Sequence, residues 1–539
     1  MEVNLLLVVT ILAVFAYLYH LITKNNDYFH DKPIPSLRAW PLLGTTAPLL
    51  LKQVTFGDFV MYVYNKFPGV KVLGMFDTVT PFFVIRDPEL IKQIAVKDFD
   101  HFMDHQPFFG EPDDSEDHPH ALFKRILFAL NGQRWRNMRA TLSPAFTGRK
   151  MRLMFKLMVD CSERMLKHYE AKMSNTSRME VEIKDMLSRY GINVIASCAY
   201  GIDVDCFKDD AHEFMYHGKR MMQMGSPLVI AKMLFMKMFP KISKDWGIDV
   251  LNREQAEYFT KLIKDTVRAR ESQGIVRNDM VDMLLEARKG TLRYEEEERE
   301  DEQEGFATVQ ESEVGKAQIT WSISETEMIA QCLIFFIAGF ESVSTTSMFL
   351  IYELILHPDI QQRLYEEVQQ TYKQLDGKLL TYDALQGMKY MDMVVSETLR
   401  MWPLAAIADR QCIRDYNLDD GEGLKFTIDK GTCVWIPIHG IHHDPQYHPN
   451  PGEFDPERFS DANKANIKVG TYLPFGIGPR NCIGSRFALM ELKAVMYHML
   501  RRFSFHRSEK TQIPLKLRKG MNNVGTEEGI HVELRLRDS

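Results

Sequence analysis

The chain has 539 residues, of which 45% are hydrophobic and 26% are charged. Its 66 lysines and arginines against 73 aspartates and glutamates give a formal net charge of −7 at pH 7. This balance excludes a basic nucleic-acid-binding protein, and the hydrophobic content excludes a mainly disordered chain. The seven cysteines are scattered and form no C-x-x-C, which excludes a disulfide framework and a zinc knuckle.

The N-terminus carries a largely apolar stretch over residues 3–22 without Asp, Glu, Lys or Arg, about the length that a helix needs to cross a bilayer. A cleaved signal peptide is the alternative, but the stretch is too long and ends without a small-x-small cleavage site. Lys24 and Lys32 follow it, so the positive-inside rule places the rest of the chain on the cytosolic side. We therefore predict a transmembrane anchor over residues 1–23, a proline-rich hinge and entry segment over residues 24–54, and one domain over residues 55–539.

Helical periodicity dominates the predicted domain, and short strand-like runs interrupt it. The longest predicted helix begins at a capping box at Ser324 and continues to Leu356, where the following His357-Pro358 pair ends it. Its middle, residues 333–340, is apolar on every side, which predicts burial within protein. Gln331 and Glu341 interrupt the apolar run, so we do not expect a second membrane span. The pattern predicts a mainly α fold with a small β region.

The strongest chemical signal is the stretch PFGIGPRNCIG, residues 474–484. Its glycines at 476, 478 and 484 permit unusual backbone angles and the close approach of a flat ligand. Cys482 stands where a helix is expected to begin, and the positive end of a helix favours a thiolate, which can bind iron. On this chemistry alone, a tight turn around a buried cysteine stays open as an alternative.

This stretch fills the signature F-x-x-G-x-R-x-C-x-G and so resembles the cytochrome P-450 family of haem-thiolate monooxygenases. The specified positions are Phe475, Gly478, Arg480, Cys482 and Gly484. The resemblance implies the haem-thiolate fold behind a transmembrane anchor, with haem b as the cofactor. It also implies that Cys482 is the axial ligand of the iron, whose electron donation favours O–O cleavage.

Further segments match the family in the expected order. Glu397 and Arg400 form an E-x-x-R, which the family pairs with the arginine of P-E-R-F, here Arg458, and which we interpret as structural. Trp135 and Arg139 form a W-x-x-x-R. The resemblance implies that both approach the haem propionates. Arg410 and Arg480 are also implied propionate partners, since a guanidinium can fork onto a carboxylate.

The long predicted helix carries Ala338-Gly339-Phe340-Glu341-Ser342, which resembles the oxygen-activation motif A-G-x-[DE]-T. Ala338 and Gly339 are implied to border the haem, where the missing side chain of Gly339 leaves a groove over the iron. Glu341 and Ser342 are implied to relay protons to bound dioxygen. Ser342 departs from the usual threonine. It keeps the hydroxyl but loses the methyl that fixes the rotamer, so we expect less tightly coupled proton delivery.

The resemblance covers essentially the whole chain, and residues 135–146, 336–344 and the closing signature look like insect microsomal detoxifying enzymes of family nine. The implied activity is oxidation of a lipophilic substrate, such as an insecticide or a plant compound, with O₂ and NADPH-derived electrons. The implied location is the endoplasmic reticulum membrane, with the domain on the cytosolic side. A same-fold isomerase or dehydratase without a reductase, and a non-catalytic haem or lipophile carrier, are the rival functions.

The electrons are expected to come from a separate protein, because no dinucleotide-binding fingerprint precedes a helix and no flavin domain is fused. The implied partner is NADPH–cytochrome P-450 reductase, with cytochrome b5 as a further candidate donor. An acidic reductase fits a positively charged docking face. The residues expected to add positive charge to that face are Arg134, Arg136, Arg149, Lys150, Arg480, Arg486 and Lys493.

Overall fold

The computed structural model describes residues 25–108, 121–209, 212–221, 226–277, 279–292, 305–317, 321–521 and 525–537, with a few isolated residues before position 25. The anchor predicted over residues 1–23 therefore lies almost entirely outside the described residues. Within the described residues, one helix, Glu325–Leu356, is long and apolar enough to cross a membrane, and 61% of its most apolar window is buried inside the protein. That burial is typical of a core helix, as predicted for this segment.

The described chain is mainly helical with small sheets, as predicted. Its α-helices are α1 (Ala47–Leu50), α2 (Phe56–Asn65), α3 (Pro88–Lys92), α4 (Gly132–Leu142), α5 (Gly148–Lys172), α6 (Ile183–Ala199), α7 (Glu213–Met221), α8 (Pro227–Met238), α9 (Pro240–Asp245), α10 (Arg253–Gln273), α11 (Met280–Arg288), α12 (Glu313–Lys316), α13 (Glu325–Leu356), α14 (Pro358–Gln374), α15 (Tyr382–Gln386), α16 (Lys389–Met401), α17 (Ile438–His442) and α18 (Ser485–Arg502). Its strands are β1 (Val72–Asp77), β2 (Thr80–Ile85), β3 (Arg178–Glu182), β4 (Ala408–Gln411), β5 (Tyr416–Asp419), β6 (Lys425–Ile428), β7 (Cys433–Ile436), β8 (Phe503–Arg507) and β9 (His531–Leu536).

The strands form sheets in the orders β1-β2-β7-β4, β3-β9-β8 and β5-β6. In the first sheet, β2 and β7 run parallel, whereas β1 with β2 and β7 with β4 run antiparallel. Residues 25–54 pack on this sheet: the buried Phe29 ring meets the rings of Phe76 and Phe83 edge-on. Pairing of β4 with β7 sets Arg410 opposite Val434, which fixes this arginine on a sheet strand.

Helix α13 runs through the main core. The Ser324 side chain accepts from the Glu327 N–H and the Glu327 carboxylate accepts from the Ser324 N–H, which confirms the predicted capping box. The helix packs closely along α6, where Gly191 faces Phe340. An added Cβ at Gly191 would lie 3.4 Å from the Phe340 carbonyl oxygen, which is ordinary van der Waals contact.

Candidate functional site

The cysteine loop, residues 473–484, is held by its own backbone. The Cys482 N–H donates to the Phe475 carbonyl at 2.9 Å, and the Asn481 N–H donates to the Gly478 carbonyl at 2.9 Å. Helix α18 begins at Ser485 with Gly484 as its N-cap, slightly later than the sequence predicted. The carbonyl of Gly484 accepts from the Ala488 N–H at 2.9 Å, which makes Gly484 the cap from which the helix starts. Cys482 therefore lies before the helix and not in its first turn.

Cys482 differs from the other six cysteines, all of which are described and buried, because its side chain is exposed. It nevertheless lies deep in the protein. Burial raises the pKa of the Cys482 thiol, while a hydrogen bond from the Gly484 N–H and the charge of Arg139 lower it. A deep thiol that remains accessible faces an internal space where it can meet a ligand.

Two glycines of the cysteine loop have positive φ angles, +78° at Gly476 and +75° at Gly478. At Gly478, an added Cβ would lie 1.9 Å from the Ala95 carbonyl oxygen. At Gly476, the nearest atom to an added Cβ would be the Asn481 Cα at 3.8 Å. Glycine is therefore required at Gly478 by both backbone angle and space, and at Gly476 by backbone angle alone.

This difference predicts unequal effects of alanine at the two positions. Gly476→Ala is expected to cost about 1–2 kcal/mol of folding free energy, the ordinary penalty of a left-handed residue. Gly478→Ala adds a clash with the backbone of residue 95, which cannot rotate away as a side chain can, so we expect a clearly larger loss. Urea unfolding of the two purified variants measures both losses, and equal losses would contradict the proposed contact.

The side chain of Arg480, a residue of the cysteine loop, packs against Trp135 of α4. Both are buried, and the Arg480 guanidinium stacks 4.1 Å above the centre of the Trp135 ring. Arg480 Nε donates to the Met103 carbonyl at 2.8 Å and Nη2 to the Leu130 carbonyl at 2.7 Å. Burial lowers the pKa of Arg480, because the desolvation of a cation is only partly offset by Asp104. The surroundings of this arginine therefore favour an added negative charge.

The surroundings of Arg410 also favour an added negative charge. It is 1% exposed, and its Nη1 and Nη2 donate to the carbonyls of Asp409 and Ile477. Among the described residues, its buried Nε finds no hydrogen-bond acceptor. Burial lowers the pKa of Arg410 to about 10. A buried guanidinium N–H without a partner is costly, and a carboxylate is the group that would satisfy it. These donors therefore fit the propionates of a haem.

Arg139 behaves differently from the other two arginines. It is buried, and its Nη2 donates to Glu311 Oε2 at 2.6 Å and to Asn481 Oδ1 at 2.8 Å. Its Nη1 donates to the Asn481 carbonyl at 2.8 Å. Most of its donors are thus committed to Glu311 and to the residue before Cys482. Sequence reasoning missed Glu311, because no motif links it to an arginine 172 positions away.

The middle of α13 reaches the same region. Phe335 packs against Phe146, 5.5 Å between ring centres, and Phe146 lines a pocket with Cys482. Ala338 is exposed on a helix that is otherwise largely buried, and Gly339 and Ser342 are half-buried. The Ser342 hydroxyl donates to the Ala338 carbonyl one turn back. Ala338 is therefore the accessible small residue of the predicted oxygen-activation segment. The groove expected at Gly339 is not found, because an added Cβ there would lie 2.5 Å from Ile195 Cδ1 of α6, so the missing side chain makes room for the neighbouring helix.

Glu341 points to α6. Its Oε1 lies 3.2 Å from Lys184 Nζ, which also donates to the hydroxyls of Ser344 at 2.7 Å and Thr345 at 2.6 Å. Burial lowers the pKa of Lys184, while the charge of Glu341 opposes that shift. Sequence reasoning missed Lys184. It lies in a helical segment without a motif, and its distance of 157 residues from Glu341 leaves no local signal.

The E-x-x-R pair is buried away from the cysteine pocket. Arg400 Nε and Nη2 donate to the two oxygens of Glu397 at 2.7 and 2.8 Å, and neither side chain is exposed. Arg458 adds a longer hydrogen bond to Glu397 at 3.3 Å. Arg400 also donates to the His442 carbonyl at 2.9 Å, so it connects α16 to α17. This geometry agrees with the structural interpretation of the motif.

Two of the residues expected on a positive docking face are buried instead. The Arg480 guanidinium is covered by the carbonyls of Met103 and Leu130. Lys493 is 1% exposed and pairs with Asp392 at 2.7 Å. Lysine and arginine are usually exposed, which is why the sequence suggested a surface position. The docking-face prediction is therefore wrong for these two residues. Arg149 is exposed, while Arg134, Arg136, Lys150 and Arg486 are half-buried.

A long core helix, an accessible cysteine on a glycine-containing loop and buried arginines around it define the haem-thiolate class of protein. The family model described as Cytochrome P450 matches residues 34–532. The chain therefore belongs to the cytochrome P450 family, whose members use haem iron and are monooxygenases in general.

Insect proteins are among the most similar relatives of the chain. The chain is 40% identical to cytochrome P450 9e2 of Blattella germanica over 544 residues, which cover 98% of this chain and 97% of that protein. It is 40% identical to probable cytochrome P450 9f2 of Drosophila melanogaster over 524 residues, 97% of this chain and 98% of that protein. It is 35% identical to cytochrome P450 6k1 of Blattella germanica over 527 residues, 97% and 95% of the two chains. The predicted resemblance to insect family nine is confirmed.

Proposed function

We propose that this chain is a membrane-bound monooxygenase that uses haem b, O₂ and NADPH-derived electrons to oxidise lipophilic substrates, with insecticides and plant compounds as the substrate class. The observation that carries the proposal is the deep but accessible Cys482 thiol beside buried arginines. Haem bound there supplies an iron that activates O₂, with the Cys482 sulfur as its protein ligand.

The residues of the chain divide the work of holding the cofactor. Arg410, with an unsatisfied Nε among the described residues, and Arg480, stacked on Trp135, bind the propionates. Arg139 contributes by fixing Asn481. Its Nε also donates to Glu311 Oε1 at 3.3 Å, so four of its five N–H groups are used and one is left for a propionate. The small or flat groups that would border the ring are Ala338, Phe475 and Gly484, with Gly339 beside Ala338 and against Ile195 of α6.

Proton delivery falls to Ser342 and Glu341. The Ser342 hydroxyl holds a proton at Oγ, at the point where α13 presents its small residues. Lys184 Nζ holds the carboxylate of the neighbouring Glu341 on the α6 side at 3.2 Å. The acid and the alcohol at these adjacent positions are the groups that we propose as the proton relay.

Replacement of Ser342 tests this relay. For Ser342→Ala, we expect product formed per NADPH consumed to fall by about tenfold or more, because a positioned proton donor contributes about 10²-fold or more to rate. Ser342→Thr keeps the hydroxyl and restricts its rotamer, so it is expected to couple at least as well as the native chain. Product and peroxide yields in a reconstituted assay measure the coupling. A Ser342→Ala enzyme that couples like wild type would contradict the relay.

We also propose that residues 1–23 anchor the chain in the endoplasmic reticulum membrane with the domain on the cytosolic side. Exposed apolar side chains downstream support this position, Trp40 at 52% and Leu42 at 56%. The proposed electron donors are NADPH–cytochrome P-450 reductase and cytochrome b5.

Reconstitution separates the proposal from its rivals. The full-length chain is combined with haem, reductase, NADPH and a lipophilic probe substrate. A monooxygenase forms an oxygenated product that depends on NADPH. An isomerase or dehydratase turns over an oxidised substrate without NADPH, and a carrier gives a spectral binding change without any product. Either of the last two results would overturn the proposed function.

A further inference from the structure

Residues 305–317, here called the strap, cross the protein beside the cysteine loop. At one end, the Phe306 N–H donates to Asp392 Oδ2 on α16 at 2.8 Å. The Phe306 ring packs against Phe459 and Tyr472, with ring centres 5.1 and 5.4 Å apart. These contacts fix the start of the strap on the side of the protein where the E-x-x-R helix lies.

The strap then passes the residue before Cys482. The Gln310 carbonyl accepts from Asn481 Nδ2 at 3.1 Å. Val309 and Glu311 line the same pocket as Cys482. The strap is therefore one wall of the space around the thiol, and its backbone is hydrogen-bonded to the cysteine loop itself.

Glu311 fastens the middle of the strap to α4 and to Ser143, which follows that helix. Its carboxylate accepts from Arg139 Nη2 at 2.6 Å and from the Ser143 hydroxyl at 2.8 Å. The side chains of Glu311 and Arg139 are 9% and 3% exposed. Gly315 packs on the Glu311 side chain so closely that an added Cβ would lie 2.3 Å from it. The ion pair is thus enclosed, and Gly315 of the strap is one of the residues that cover it.

An enclosed ion pair of this kind responds strongly to the loss of one partner, because the remaining charge stays buried without compensation. Arg139 is bound to Glu311 on one side and to Asn481 on the other. A change at Glu311 is therefore passed through one guanidinium to the residue next to Cys482. The exposed Glu313, two positions further on, offers a matched change of charge outside the pair.

We propose that Glu311 is a positioning residue that clamps the strap over the cysteine loop, so that the strap screens the Cys482 sulfur from bulk water and holds Asn481 in place. The inference rests on the proposed function, since it concerns the sulfur as the ligand of the haem iron. Glu311 acts through Arg139 and Asn481 and does not touch the reacting atoms.

The test compares the full-length, haem-loaded wild type with Glu311→Gln, Glu311→Asp and Glu313→Gln. Hydrogen–deuterium exchange of the peptide covering residues 305–312 reports how often the strap opens. The survival of the red-shifted Soret band of the reduced carbon monoxide complex reports how long the thiolate stays bound to iron. For Glu311→Gln, we expect both exchange and band loss to be about tenfold faster or more, because a hydrogen-bonded charge is removed. Glu313→Gln is expected to match wild type, and Glu311→Asp to lie between.

The outcomes are distinct. If residues 305–312 of Glu311→Gln exchange at the wild-type rate, the clamp is overturned. If they exchange faster while the Soret band survives as long as in wild type, the screening of the sulfur is overturned. If Glu311→Gln fails to fold, Glu311→Asp decides, because it keeps the charge and shortens the side chain by one methylene. Absence of the shifted band from wild type would instead contradict the proposed function itself.

Discussion

For Arg400→Met, we expect most of the expressed protein to remain unfolded and without haem. The change leaves the carboxylate of Glu397 fully buried, with the Asp455 N–H at 2.9 Å and Arg458 at 3.3 Å as its remaining partners. Breaking a buried ion pair in this way costs about 3–5 kcal/mol, a large share of a typical net stability of about 5–15 kcal/mol. It also removes the hydrogen bond to the His442 carbonyl. The measurement is the yield of soluble, haem-containing protein and the urea midpoint of the recovered fraction.

Arg458→Met is the matched control for Arg400→Met. It removes an arginine from the same carboxylate, but Arg458 is 11% exposed and its bond to Glu397 is longer. We therefore expect a smaller loss of stability and a clear yield of haem protein. If Arg458→Met is as damaging as Arg400→Met, the bidentate Arg400–Glu397 pair is not the main tie between α16 and α17.

Replacing Cys482 by alanine is expected to reduce NADPH-dependent product formation to background. The sulfur is the proposed protein ligand of the iron, and alanine cannot supply the electron donation that a thiolate gives. Turnover of a lipophilic probe by the reconstituted variant is the measurement. Cys433→Ala is the control, because Cys433 is a buried cysteine of β7 away from the pocket. It is expected to lose some stability through the missing sulfur but to keep its turnover.

A Cys482→Ala enzyme that retains turnover would place the iron ligand elsewhere in the chain. Loss of turnover in both cysteine variants would point to general damage and not to a specific role of the sulfur. The pair of variants therefore separates ligation from folding.

Short-range sequence signals predicted the limits of α13, the Glu397–Arg400 pair and the cysteine loop. The limits of α13 follow from a capping box at Ser324 and from the His357-Pro358 pair, and the structure has the helix at Glu325–Leu356. The Glu397–Arg400 pair is separated by three positions, so helix geometry alone brings its charges together. The cysteine loop was evident because glycine, arginine and cysteine stand at fixed spacing.

Contacts between distant segments were not predictable in the same way. Glu311 meets Arg139 and Lys184 meets Glu341 across more than 150 positions, and neither partner belongs to a motif that names the other. The burial of Lys493 was also hidden, because its partner Asp392 lies on a different helix. These pairs depend on how helices pack, which periodicity does not specify.

The central claim is that Cys482 binds haem iron as a thiolate, and the most direct test is the absorption spectrum of the reduced, carbon-monoxide-treated protein. A thiolate opposite carbon monoxide moves the Soret band strongly to the red. We predict that wild type shows this band and that Cys482→Ala lacks it. A correctly folded, haem-supplemented wild type without the shifted band, or a Cys482→Ala variant that retains it, would contradict the claim.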